Sequence, residues 1–146
     1  MRGLTLVELL VVLALLGLLA AAAVPGYRGH LLRAGRGEAR AALLALATAQ
    51  EKFHLECRVY ADTLDPGQPG DCAAQRLRFP ATTERALYAI AIDAADAEAW
   101  AATASRRPGT AQSRDAACRV LKLDSTGRRE ARDDADAPST RECWDR

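Results

Sequence analysis

The chain is predicted to fold as an α+β protein: a long N-terminal helix packed on a small antiparallel β-sheet, closed by a disulfide-bounded C-terminal loop. Three observations predict it. An apolar run extends from Leu4 to Val24, strong helix formers carry the pattern on to about Glu56, and beyond residue 71 the sequence changes to short alternating segments separated by turns. About 120 residues follow the apolar run, enough for one modest domain with a core. Lys and Arg total 20 against 19 Asp and Glu, so no bulk charge draws the chain toward nucleic acid or anionic lipid.

The apolar run comes first. As a helix it would be about 31 Å long at ~1.5 Å per residue, matching the ~30 Å hydrocarbon core of a bilayer. Glu8 is the anomaly inside it, because an ionisable group in a spanning helix costs on the order of 2.5 to 3.5 kcal/mol and calls for a partner. A secretory signal peptide has an apolar region of only about 7 to 15 residues and no carboxylate there. A plain single-pass anchor fits the length and leaves Glu8 without a partner, unless it snorkels to the interface from its place near the helix end.

The second part of the helix follows from composition and spacing. Pro25 has no N–H and its ring crowds the carbonyl of Ala21, so a kink or a locally opened turn is expected. Gly26, Gly29, Gly35 and Gly37 weaken the next turns. From Glu38 to Glu51 helix formers dominate, and Ala39, Ala42, Leu43, Leu46, Ala49, Phe53 and Cys57 recur at spacings of three and four. The expectation is one long, interrupted helix from about Leu4 to about Glu56, its second half packed on a head.

The head is read from turns and alternation. Residues 61–71 hold two prolines and two glycines and mark a surface loop. Strands are expected at Leu87–Asp93, at Ala97–Ser105 around Trp100, and at Cys118–Asp124 before a Ser125-Thr126-Gly127 turn, with a fourth at Arg128–Arg132. Helix is the alternative for the Ala-rich stretch 94–104, since Ala favours helix over strand. Four cysteines without a Cys-x-x-Cys pair suit two disulfides in an oxidising compartment. Of three possible pairings, Cys57 with Cys72 and Cys118 with Cys143 is favoured. The first staples the helix end to the Pro/Gly loop, the second ties the last strands to the chain's end, and each is worth about 3 kcal/mol in the chain-entropy model. Charge is uneven: residues 106–132 carry eight basic and three acidic groups and 133–146 carry two basic and five acidic, so the two blocks can pair or form a solvated surface.

The N-terminal stretch Met1-Arg2-Gly3-Leu4-Thr5-Leu6-Val7-Glu8, continued by apolar residues through Gly17 to Pro25, resembles the type IV prepilin N-terminus. The resemblance implies a type IV pilin fold and a leader of residues 1–3. Segment 4–25 would be the membrane and assembly helix, 26–58 its second half, and 59–146 the globular head. It implies that a prepilin peptidase cuts between Gly3 and Leu4 and methylates the new amine of Leu4, although the family most often has Phe at that place. It also implies that Glu8 pairs with a freed amine between neighbouring subunits. Cys118-x-Val120-Leu121-x-Leu123-Asp124-x-x-Gly127 and the terminal Cys143-Trp144 are similar to minor pilins of the PilE type. The implied location is the inner membrane, single-pass with a periplasmic head, and then the pilus at the cell surface.

Other chemistries have weaker signals. His54 and Cys57 lie three apart on one helix face but lack a third orienting group, so no enzyme is expected. Asp133, Asp134, Asp136 and Glu142 lack calcium-loop spacing and suit a solvated acidic turn, and no cofactor is expected. Three functions remain. The first is a minor pilin subunit, partnered by other pilin subunits and serving assembly, twitching motility and adhesion. The second is a type II secretion pseudopilin. The third is nucleic-acid binding through Arg106, Arg107, Arg114, Arg119, Lys122, Arg128, Arg129 and Arg132, a basic stripe without interleaved aromatics.

Overall fold

The computed structural model describes residues 5–145, with residues 22–25 described in their backbone alone. Helix α1 spans Leu6–Cys57, 52 residues, and is therefore about 78 Å long at ~1.5 Å per residue. Thr5 caps its start: the side-chain oxygen accepts the N–H of Glu8 at 3.2 Å. Arg58, in the left-handed region at φ 63°, ends it by donating its N–H to the carbonyl of His54 at 2.8 Å.

The segment between Pro25 and Gly37, where a kink or a locally opened turn is expected, is assigned helix throughout. Proline removes one N–H from the ladder, and each glycine costs about 1 kcal/mol, yet the turns on either side remain hydrogen-bonded and carry the helix across.

Strands β1 (Thr63–Leu64) and β2 (Arg76–Leu77) form a short parallel pair. Strands β3 (Tyr88–Ala95), β4 (Trp100–Arg106), β5 (Val120–Asp124) and β6 (Arg129–Arg132) form an antiparallel sheet in sequence order. A single 3-10 turn, Ala111–Arg114, lies between β4 and β5, and helix α2 (Thr140–Trp144) ends the fold. The pair β1–β2 corrects the expectation of a plain loop over 61–71. A turn built on Asp71, whose carboxylate accepts the N–H of Ala73 at 2.9 Å, brings Leu77 back beside Leu64.

The core lies between α1 and the sheet. Ala39, Leu43, Leu46, Gln50 and Phe53 form one buried stripe of α1, against Tyr88, Ile90, Trp100, Ala102, Ala104, Leu121, Leu123 and Ala131. Alternation on β4 puts Trp100, Ala102 and Ala104 inward. Helix is excluded for 94–104 because Ala94–Ala95 and Trp100–Ala104 pair across a hairpin. The Asp96 carboxylate fixes that hairpin's turn by accepting the N–H groups of Glu98 and Ala99 at 2.7 and 2.8 Å. Gln50, fully buried, returns the chain to the helix by a two-way clamp on Ala61: its Nε2 donates to the carbonyl at 2.8 Å and its Oε1 accepts the N–H at 2.9 Å.

Two disulfides complete the head. Cys57–Cys72 joins the end of α1 to the loop after β1, and Cys118–Cys143 joins the start of β5 to α2, with Cα separations of 5.2 and 5.8 Å.

Candidate functional site

Three places carry chemistry: the bare start of α1, a buried polar joint where α1 meets the head, and an arginine groove at one end of the sheet.

Every side chain from Leu6 to Ala21 is exposed, and Glu8 is the single charge among them. Such an all-round apolar helix has no face to bury against its own chain. Thr5 and Glu8 stand three apart, the spacing of a capping box. Among the residues singled out by sequence, Gly3 and Leu4 lie outside the described residues, and Pro25 lies within the helix. Glu8 is placed on the first turn of α1, in open surroundings.

The polar joint begins with Gly35. A Cβ there would stand 2.1 Å from Gln112 Oε1, so glycine is what allows the 3-10 turn to sit on the helix. The next residue, Arg36, grips Asp115 with two parallel hydrogen bonds, Nε to Oδ2 at 2.8 Å and Nη2 to Oδ1 at 2.7 Å. Both side chains are buried, with 9% and 1% exposure. Gln112 Nε2 completes the set within reach of Asp115 Oδ2 at 2.7 Å and the Tyr88 hydroxyl at 3.0 Å. Hydrogen bonding to Asp115 raises the Arg36 pKa further above its ordinary value against the opposing effect of burial, and burial pushes the Tyr88 phenol up. Arg36 Nη1 also reaches Glu142 Oε1 at 3.4 Å, and Arg40 Nη1 donates to the Trp144 carbonyl at 2.7 Å. Helix α2, bound to β5 by Cys118–Cys143, is thus docked on α1 as well.

Sequence reasoning missed this joint. Its one visible signal was Gly35, a glycine within a helical pattern, which points to a close approach. Nothing in the sequence marked Gln112 or Asp115 as buried.

The groove lies where β4, β5 and β6 share an end. The N–H of Arg106 donates to the carbonyl of Arg119 at 3.0 Å and that of Arg119 to Arg132 at 2.9 Å, which sets the three arginines on neighbouring strands. Ser105, Arg106, Pro108, Ser113, Arg119 and Val120 line a concavity of about 440 Å³, while Arg132 lines a separate one with Arg128 and Pro138. Several members of the basic stripe expected from sequence are engaged by other side chains. Lys122 pairs with Asp93, Arg128 with Glu130, and Arg129 lies 5.3 Å over the Trp144 ring. The basic and acidic blocks do pair: Arg106 with Asp134, and Arg119 and Arg132 with Asp136. Asp133 instead accepts the N–H groups of Ala135 and Ala137 at 2.9 and 2.8 Å. Those carboxylates are engaged within the protein. So is Cys57, whose sulfur is in a disulfide, while His54 stacks on Tyr60 at 4.3 Å.

Comparison with known proteins adds to this geometry. Residues 25–122 match the family model described as type IV minor pilin ComP, DNA uptake sequence receptor, and residues 1–24 match the prokaryotic N-terminal methylation motif. The type IV major pilin protein PilA of Myxococcus xanthus is 44% identical over 61 residues, 42% of this chain and 28% of that protein. A fimbrial protein of Moraxella nonliquefaciens is 36% identical over 69 residues, 47% of this chain and 45% of that protein. The chain thus spans less than half the length of these two relatives.

Proposed function

Because the chain belongs to the type IV minor pilin family, whose model covers residues 25–122, we propose that it is a pilus subunit matured at its N-terminus and built into a filament through the exposed half of α1. In this reading a prepilin peptidase cuts between Gly3 and Leu4 and methylates the Leu4 amine. The subunit waits in the inner membrane with its head in the periplasm, then joins other pilin subunits in a fibre serving motility and adhesion.

The observation that carries the reading is the helix segment Leu6–Ala21, exposed at every side chain and holding one carboxylate. A new ammonium on Leu4 and the Glu8 carboxylate of a neighbour, about 4 Å apart, attract by about 4 kcal/mol at an effective dielectric near 20. Neither charge is then alone in an apolar medium. The match of residues 1–24 to the N-terminal methylation motif supports the same chemistry. Mass spectrometry of the N-terminal peptide from the membrane fraction tests it: the expected chain begins at N-methylated Leu4, and retention of Met1-Arg2-Gly3 overturns it. Loss of surface fibres or motility on deletion, with protein secretion intact, separates a pilus from a secretion pseudopilus.

A second reading concerns nucleic acid. The matched family's description as a DNA uptake sequence receptor, over a span that includes Arg106, Arg107, Arg114 and Arg119, favours DNA contact by the head. Retention of duplex DNA that falls steeply with salt supports it. No retention at low salt removes it.

A further inference from the structure

We propose that the acidic turn Asp133–Asp136 is a built-in competitor for the arginines it faces, its Asp134 and Asp136 carboxylates standing where phosphates of nucleic acid would bind, so that DNA has to displace those two carboxylates. The inference rests on the nucleic-acid reading above.

The turn holds its shape without the two carboxylates that face the arginines. Asp133 supplies the side-chain acceptor for two N–H groups, its own N–H donates to the Ala137 carbonyl at 3.1 Å, and the N–H of Asp134 donates to Ala116 at 2.9 Å. Asp136 lies in the left-handed region at φ 63°, which Asp and Asn tolerate better than other side-chain-bearing residues. The Asp134 and Asp136 carboxylates are therefore spare, and both are spent on guanidinium groups.

The arginines are aimed independently of them. Arg106 Nη1 donates to the Asp115 carbonyl at 2.7 Å, Arg119 Nε to the Asp133 carbonyl at 3.0 Å, and Arg132 Nη1 to the Asp136 carbonyl at 2.8 Å. Each guanidinium keeps further donors in a planar fork, a geometry that takes a carboxylate or a phosphate alike. The partner carboxylates are 45% and 66% exposed, so the pairs are solvent-screened and individually weak. A polyanion engaging several arginines at once can replace them. Arg107 and Arg114, exposed and without a carboxylate partner among the described residues, adjoin the groove residues Arg106, Pro108 and Ser113 in the chain.

Salt dependence distinguishes this arrangement from an ordinary basic patch. An arginine that stays on its protein carboxylate neutralises no phosphate and releases none of the cations condensed on DNA, so the clamp flattens the salt slope. Asp134→Asn with Asp136→Asn exposes three arginines, and the full-length chain in non-ionic detergent is titrated with short duplex DNA between about 50 and 200 mM salt. Binding is expected to tighten about tenfold at the low-salt end and the log–log slope to steepen by about 0.9 per arginine uncovered. Adding Arg119→Gln to that variant should remove much of the gain. Glu56→Gln with Glu98→Gln, a change of equal charge at exposed positions away from the groove, should leave the slope unchanged.

An equal gain in that control overturns the proposal, since net charge alone would then explain it. DNA binding by the wild type with no gain in the Asp→Asn variant also overturns it, and leaves the nucleic-acid reading standing. No binding by any variant at low salt removes that reading together with the clamp. A gain on phosphatidylglycerol vesicles without one on DNA overturns the assignment to nucleic acid.

Discussion

Two stretches of α1 use the same helical geometry to different ends. From Leu6 to Ala21 every side chain is exposed, and the apolar residues run around the whole cylinder. From Ala39 to Phe53 the residues Ala39, Leu43, Leu46 and Phe53 make one buried stripe, and the rest of the surface carries exposed residues such as Leu44, Thr48 and Lys52. The second stretch folds against its own sheet, where burying each of Leu43, Leu46 and Phe53 contributes about 1.5 to 3 kcal/mol. The first has no such surface within the chain. What separates them is the angular distribution of apolar residues, because only a stripe can be covered from one side. An all-round apolar helix has to be covered by other molecules, lipid or neighbouring helices.

If that division holds, substitutions in one stretch should leave the function of the other intact. The largest effect is expected from Glu8→Leu. The variant should insert in the membrane with a native head yet be missing from sheared surface fibres, because the anchor gains apolarity as it loses the counter-charge; wild-type recovery in the fibre fraction would break the comparison. Asp115→Ala acts on the head. It leaves the buried Arg36 guanidinium with only its longer contact to Glu142 and should cost about 3 kcal/mol, read as a lower urea midpoint of the detergent-solubilised chain with N-terminal processing unchanged.

Cys118→Ser should cost about 3 kcal/mol and make the segment from Asp133 to Trp144 protease-sensitive. Digestion no faster than wild type would mean that Arg36 and Arg40 hold α2 without the disulfide. Two alanine substitutions on the same helix sharpen the contrast further. Gly29→Ala meets only the end of Arg33 at 3.6 Å and should be neutral or stabilising by up to ~1 kcal/mol, whereas Gly35→Ala drives a methyl into Gln112 and should destabilise by about 1 to 3 kcal/mol. Equal melting temperatures would place the close approach elsewhere.

The smallest effect is acid dependence. Burial pushes the Glu38 carboxyl up, but the backbone N–H and guanidinium of Arg85 outweigh it and hold its pKa below the ordinary 4.5. The hydroxyl of Thr126 lowers the Asp124 pKa below 3.8 in the same way. A pKa depressed in the folded state stabilises above the unfolded value and is lost as pH falls through the folded one. Urea midpoints should therefore be flat above these ordinary values and decline below them, with Glu38→Gln giving a shallower decline.

The long helix and the four-stranded sheet were legible because both rest on periodicity. Leu43, Leu46 and Phe53 repeat at three and four, and Ile90, Leu121 and Leu123 alternate with outward residues. The Ala-rich hairpin was ambiguous because alanine's preference for helix opposes a pairing that only tertiary contact supplies. Helix α2 and the 3-10 turn are too short to show a period at all. Asp115 illustrates a different limit. A lone carboxylate in a polar segment looks solvated, and its partner Arg36 lies 79 positions away. The pairing between the basic block and the acidic block, by contrast, was readable as an option from composition, though which arginine meets which aspartate depends on the end of the sheet where they converge.

The boundary of the core along α1 sets how the subunit can be handled. Buried contacts begin at Gly35 and Arg36, so the interior of the head includes nothing from Leu6 to Ala21. Exchanging whatever covers that exposed segment replaces neighbours around a rod and disturbs no internal packing of the head. A covering around Leu6–Ala21 can therefore be put on or removed while the head stays folded.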